Sequence, residues 1–304
     1  MSVILVNDGE ENELAGNWTK QYPYEICQIS IPHGGVSKAR NAGLDASTAD
    51  YVMFCDFDDT FMSALSLHLI FCGIAEDKWD LIRGAFMEET ADSEGNIHLV
   101  PHKDDVTFIH GKVIRRKFLL DNRIRFHDAL TIHEDGYFNV LVYTLASERM
   151  TKIETPMYLW AWNDESVVRK SKSDDYVLDT YDHLMKQRIA LTDAFIERER
   201  AEDVLLTVIK TVCDSYYDFQ QHTWNLPKNK ARVERAERWF CAYFKRFAKY
   251  YAEAKVQQIA QVSAMSRARV LKNGTMFMET QTIGDWLKHI MNDVRPIPKE
   301  EQGV

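Results

Sequence analysis

From residue 3 to about residue 153 the chain alternates short β-rich apolar runs with segments of helical period, and few architectures accommodate that rhythm. The runs are 3–6, 25–31, 51–55, 80–86 and 152–162; the helical segments are 35–47, 62–76, 114–122 and 135–146. Strands that take turns with helices form a parallel or mixed sheet covered by those helices. The polar segment 88–98, with its Gly95, reads as a hairpin or excursion rather than a core element. Beyond about residue 173 the texture changes. Val177, Tyr181, Leu184, Met185 and Ile189 fall at three- and four-residue steps, and 204–219 and 233–254 continue that period. The expectation is an α/β domain over 1–172 followed by an α-helical domain over 173–304.

The stretch YVMFCDFDDTF at 51–61 places three carboxylates, Asp56, Asp58 and Asp59, directly after five apolar residues. Such a run suits a strand buried on both faces, so the acids fall at its C-terminal end, where open α/β sheets bind ligands. Carboxylates one residue apart in a turn converge on one hard cation through oxygen ligands. A capping turn, in which an Asp starts the next helix, uses the same residues. Glu134-Asp135, ahead of another helical segment, also has two readings: an ordinary acidic first turn, or a reactive carboxylate kept ionised by the positive helix end.

Composition excludes several classes. With 45% apolar and 27% charged residues the chain can bury a core and is not a disordered one. The longest strongly apolar stretch, 64–75, is interrupted by Ser66 and His68 and is too short to cross a bilayer. The five cysteines (27, 55, 72, 213 and 241) show no CxxC or zinc-ligand spacing, and no signal-peptide pattern opens the chain, which points to a reducing cytoplasm. The net charge of -9 is uneven: 228–272 holds twelve Lys or Arg against three Glu, a local +9, which leaves -18 on the remainder. Within it, Trp239, Tyr243, Phe247 and Tyr250 share a helical stripe beside Arg238, Lys245, Arg246 and Lys249. That stripe is either a core face with a solvated basic edge or a surface for a polyanion. Modified DNA, a phosphate-rich cell-surface polymer and an anionic membrane are the candidates.

Four segments, in order, resemble the family 2 glycosyltransferases. Val6-Asn7-Asp8-Gly9 is similar to the strand-ending VDDG of that family, and Gly34 to Gly43 (GGVSKARNAG) to its GGVSxARNxG. Cys55-Asp56-Phe57-Asp58-Asp59 resembles LDSDD. The fourth segment runs over 111–169 and includes His133-Glu134-Asp135-Gly136, Pro156-Met157-Tyr158-Leu159-Trp160 and Ser166-Val167-Val168-Arg169.

The resemblance implies a Rossmann-like nucleotide-diphospho-sugar transferase fold with a mixed sheet. It implies inverting transfer of a sugar from a nucleotide diphosphate donor, a UDP-sugar above all, to an acceptor hydroxyl. Asp58 would be the main ligand of a Mn or Mg ion, with Asp56 on the ribose or the metal and Asp8 accepting from the nucleobase. Asp135, beside Glu134, would be the general base. Arg40 and Arg169 are candidate contacts to donor phosphate, while Lys38 reads equally as a solvated helix charge. Trp160 and Trp162 are candidates to stack on a sugar or to pack in the core, and His133 to orient the base or hold the cation. Family members open with a further strand and helix ahead of the VDDG segment, so the resemblance implies a shortened N-terminal part that touches the nucleoside pocket. A rival alignment takes residues 3–8 as that first strand. A nucleotidyltransferase and a noncatalytic sugar-nucleotide-binding protein are the other functions that use these acids.

Overall fold

A computed structural model describes residues 1–9, 22–164, 175–270, 282–293 and 297. The chain divides into two compact units, Met1–Lys170 and Ser171–Val304.

The first unit is α/β. β1 (Ser2–Asp8) pairs in parallel with β2 (Glu25–Ile31), and among the described residues these two form a sheet of their own. The main sheet contains β3 (Tyr51–Met53), β4 (Thr60–Phe61), β5 (Leu81–Ala91), β6 (Ile97–His102), β7 (Lys112–Arg115) and β8 (Met150–Trp160). Its order is β3-β7-β5-β8-β4, with β6 paired to β5. β5 runs parallel to β8 and antiparallel to β7 and β6, which makes the sheet mixed. The helices are α1 (Val36–Ala46), α2 (Ala64–Ala75), α3 (Arg116–Asp121) and α4 (Glu134–Ala146).

The core lies around β5. Leu81, Ile82, Ala85 and Phe86 are at most 1% exposed, because a central strand covered on both faces carries continuous rather than alternating apolar residues. Phe138, Leu141 and Val142, one face of α4, are fully buried.

One element differs from the sequence expectation. The helix expected over 114–122 is confined to Arg116–Asp121, and Lys112–Arg115 is strand β7 instead. Val113 and Ile114 are β-branched and pair with β3 on one side and β5 on the other, so sheet packing overrides the helical period. The segment 88–98 is a hairpin, as its Gly95 and polar tone suggest: it continues β5 and turns into β6, the turn closed by Gly95 N–H on the Asp92 carbonyl (3.1 Å).

The pairing of β5 with β8 carries a bulge. β5 steps from Gly84 to Phe86 while β8 steps from Ile153 to Tyr158, across Pro156, which has no N–H to give the ladder. The second half of β8 is thereby re-aimed, which matters for Tyr158 and Trp160 below.

Gly84 and Gly111 bring two backbones into contact beside this bulge. Gly84 N–H donates to the Gly111 carbonyl (2.9 Å), and Gly111 holds φ +69°. A methyl on Gly111 would lie 2.7 Å from the Gly84 oxygen, and one on Gly84 would lie 2.0 Å from Met157 Cε.

The second unit is helical, with Tyr181–Glu197, Ala201–Phe219, Lys230–Phe247, Val256–Val270 and Ile283–Asp293 as its longer helices. Three arginines of the basic segment pair with acids 53 residues earlier: Arg232 with Asp179, Arg235 with Asp182 (3.1 Å) and Arg246 with Asp193 (2.7 Å). A constant offset means that Tyr181–Glu197 and Lys230–Phe247 run parallel in one register. Trp239, Tyr243 and Phe247 are buried, so the aromatic stripe faces the core of this unit. Lys228, Lys230, Lys245, Lys249 and Lys255 are exposed. No helix among the described residues is long and apolar enough to cross a membrane.

Because left-handed backbone and a backbone clash coincide at Gly111, Gly111→Ala is expected to cost about 2 kcal/mol or more of stability. The shift of the urea midpoint at unchanged slope measures it.

Candidate active site

The site is built around Arg40, and the chain places that side chain from several directions. The Asp8 carboxylate accepts the N–H groups of Gly34 (2.7 Å) and Gly35 (2.8 Å), with Gly35 at φ +90°, and so fixes the start of α1. The flank of α1 is stitched to the segment that leads into α4. Ser37 Oγ donates to the Leu130 carbonyl (3.1 Å), Asn41 Nδ2 donates to the Phe126 carbonyl (2.9 Å) and Phe126 N–H donates back to Asn41 Oδ1 (3.0 Å). The guanidinium lies over the Phe126 ring, 5.2 Å from its centroid.

From there Arg40 reaches both acidic clusters. Nη1 donates to Asp135 Oδ1 (2.6 Å) and Glu134 Oε1 (3.2 Å), and Nη2 donates to Asp56 Oδ1 (2.9 Å). The acids at the end of β3 and those at the start of α4 therefore share one cleft. The second oxygen of Asp135 accepts the Ile109 N–H (3.0 Å).

One guanidinium faces three carboxylates. Burial pushes the Glu134 carboxyl up to about 7, with the charge of Asp135 adding to it. Burial also raises Asp135, against the pull of Arg40. Burial by itself would lower Arg40, yet Asp135, Asp56 and Glu134 together hold it above the usual arginine value. The cleft thus binds a proton near neutral pH.

Beside Arg40 stands a second group of ligand atoms. One atom each from Asp56, Asp59 and His110 lies within 4.8 Å of the others, a spacing that suits a shared cation. His110 is 4% exposed, its Nδ1 has no hydrogen-bond partner and lies 3.7 Å from Asp59 Oδ2. Such an orphan nitrogen beside two carboxylates fits a divalent ion that accepts mixed N and O ligands. Asp59 is also held by Tyr158, whose hydroxyl donates to Oδ2 (2.5 Å), and by the Ala161 N–H on Oδ1 (3.0 Å). Burial raises Asp59 to about 6 and lowers His110 to about 4. The bulge in β8 is what delivers Tyr158 to this corner.

Several expected residues stand elsewhere. Asp58, expected as the main metal ligand, is exposed and accepts from Asn163 Nδ2 (2.6 Å), while Asp59, for which capping and ligation are equal readings, occupies the cluster. The turn after Asp56 (Asp59 N–H to the Asp56 carbonyl, 3.1 Å) faces the two outward and inward respectively. The Asp8 carboxylate is occupied by the Gly34 and Gly35 amides. His133 is the N-cap of α4 at φ 66°. Trp160 packs against Phe108 (4.9 Å) and His110 (5.1 Å), while the Trp162 indole N–H donates to Asp164 (2.8 Å). Arg169 lies outside the described residues. Sequence reasoning missed His110 and Tyr158. His110 carries no local ligand spacing, since its partners stand more than fifty residues away; Tyr158 was quoted only as part of a motif.

Residues 1–95 match the family model described as Glycosyl transferase family 2. The chain is 25% identical over 206 residues to an uncharacterized glycosyltransferase, EpsJ, of Bacillus subtilis, covering 60% of this chain and 59% of that one. It is 22% identical over 217 residues to the poly(ribitol-phosphate) beta-N-acetylglucosaminyltransferase TarS of Staphylococcus aureus, covering 67% and 37%. The chain thus spans less than two thirds of the length of either relative. The crystal structure of S. aureus TarS 1-349 in complex with UDP-GlcNAc superposes with a TM-score of 0.55 at 15% identity, over 92% of this chain and 89% of that one. The fold, a mixed sheet with helices and a helical C-terminal portion, is shared.

The raised Glu134 carboxyl has a sign in stability. The folded state keeps a proton that the unfolded chain sheds at about 4.3, so this group's contribution falls as pH climbs to about 7. Glu134→Gln should flatten that decline, read as a smaller difference in melting temperature between pH 5 and pH 8. Removing the cation is more severe: Arg40→Ala leaves buried acids unpaired and should cost about 3 kcal/mol at pH 8, less at pH 5, by urea titration.

Proposed function

We propose that this chain, whose first 95 residues belong to glycosyl transferase family 2, transfers a sugar from a nucleotide diphosphate donor to an acceptor hydroxyl with inversion. The observation that carries the proposal is Arg40 bridging Asp56 and Asp135 with its two terminal nitrogens. A strand-end acid suited to the donor and a helix-start acid suited to the acceptor thereby meet on one group.

In this reading Asp135 takes the proton of the acceptor hydroxyl as that oxygen attacks the anomeric carbon and the nucleoside diphosphate departs. Arg40 and the Ile109 N–H hold the carboxylate ionised and fix which oxygen faces the acceptor. One carboxylate suffices for a single displacement, whereas a retaining route needs a nucleophile as well. A divalent ion held by Asp56, Asp59 and His110 would neutralise charge on the leaving diphosphate. Mn suits the nitrogen of His110 better than Mg does. Trp160, half-buried against Phe108, offers an aromatic face to a sugar.

The donor class follows the relative crystallised with UDP-GlcNAc. A phosphate-rich acceptor is supported by the name of TarS, which acts on poly(ribitol-phosphate), and by the exposed lysines of the helical unit. The burial of the aromatic stripe and the pairing of Arg232, Arg235 and Arg246 leave the lysines as the groups available to such a polymer.

Asp135→Asn should lower kcat at least about 10²-fold while the thermal shift produced by UDP-GlcNAc with Mn persists. Full activity in that variant would end the base assignment. Because the base must be ionised and burial raises the Asp135 carboxyl above its ordinary range, the rate should fall as pH drops, with an inflection higher than that of a free aspartate. Glu134→Gln removes a like-charged neighbour and should move the inflection to lower pH.

A further inference from the structure

The backbone of residues 105–109 lies along α4 as a zipper. Asp135 Oδ2 accepts the Ile109 N–H (3.0 Å), Asn139 Nδ2 donates to the Thr107 carbonyl (2.6 Å), and the Tyr143 hydroxyl donates to the Asp105 carbonyl (3.2 Å). Positions 135, 139 and 143, at four-residue steps, lie on one face of the helix and hold residues 109, 107 and 105 of the strip in turn.

The far side of the strip is fixed independently. Asp105 Oδ1 accepts the N–H groups of Thr107 (2.9 Å) and Phe108 (2.7 Å), and the buried Lys112 ammonium donates to the Phe108 carbonyl.

Asn139 is the informative member of this set. It is fully buried, its Nδ2 is used and its Oδ1 has no partner. A buried amide that leaves its acceptor unsatisfied costs free energy, and a leucine of similar size would pack there without that cost. Thr107, the residue whose carbonyl it holds, is exposed, so water can replace the donor. The arrangement is therefore costly for stability and serves the placement of the strip.

We propose that Asn139 is a positioning residue for the transfer reaction: by holding the Thr107 carbonyl it keeps the Ile109 N–H aimed at Asp135, and so fixes the orientation of the general base. The proposal rests on Asp135 being that base. Asn139 touches no substrate and acts through the strip alone.

The test measures UDP-GlcNAc turnover with Mn in the full chain, as UDP release, for Asn139→Leu, Tyr143→Phe and Asp135→Asn. Asn139→Leu is expected to keep the wild-type melting temperature within a few degrees and the donor KM within about twofold, and to lower kcat about tenfold or more. Amide exchange of the 105–109 segment should accelerate in the same variant. Tyr143→Phe, which loses the far contact and keeps its ring, should lower kcat in the same direction by less, and it supplies the test should the leucine variant fail to fold. Wild-type kcat in both variants, with Asp135→Asn inactive, overturns the positioning role and leaves the base assignment standing. Wild-type kcat in Asp135→Asn overturns the base assignment itself. A raised donor KM at unchanged kcat in Asn139→Leu would also overturn the proposal, since the strip would then serve donor binding.

Discussion

Three carboxylates in one half-buried cleft repel one another and lose solvation, and a single guanidinium makes their meeting tolerable. Arg40 does so because its planar fork offers separate nitrogens in fixed directions, one toward Glu134 and Asp135 and one toward Asp56. An ammonium is a point charge and could not span both sides. The position of the fork depends in turn on Asp8 at the end of β1, on the seam between α1 and residues 126–130, and on the ring of Phe126. The acids of the site are thus located by residues from distant parts of the first unit, converging on one side chain.

The strand-helix alternation was legible because each strand is a contiguous apolar run and each helix repeats its apolar residues on one face. The family resemblance set the acids after Cys55 and Asp135 in one cleft, but with Asp58 rather than Asp56 and Asp59 as the principal member of the first group. What escaped were features set by distant partners. Ile114 and Arg115 read as the start of a helix until β3 and β5 are known to flank them. Which of Asp58 and Asp59 turns inward depends on Tyr158, about a hundred residues later and displaced by a bulge that only the pairing of β5 with β8 reveals. His110 stood in no recognisable spacing, so its place beside Asp59 comes from the fold alone.

The charge of the helical unit shows what composition leaves out when read without geometry. A local excess of +9 over 228–272 suggests a surface made for anions, yet Arg232, Arg235 and Arg246 face Asp179, Asp182 and Asp193. The acids come from a segment outside the basic window, so counting within the window could not see them.

Those pairs also act as a vernier between Lys230–Phe247 and the helical segment 176–197. A slip of one turn, about 5.4 Å, in one direction sets Arg235 beside Lys186 and Arg232 beside His183. The opposite slip sets Arg235 and Arg246 beside Leu178 and Ile189, stranding both cations against hydrocarbon. Each misalignment keeps an acid for only one arginine, so neighbouring registers are disfavoured even where the apolar faces would still fit.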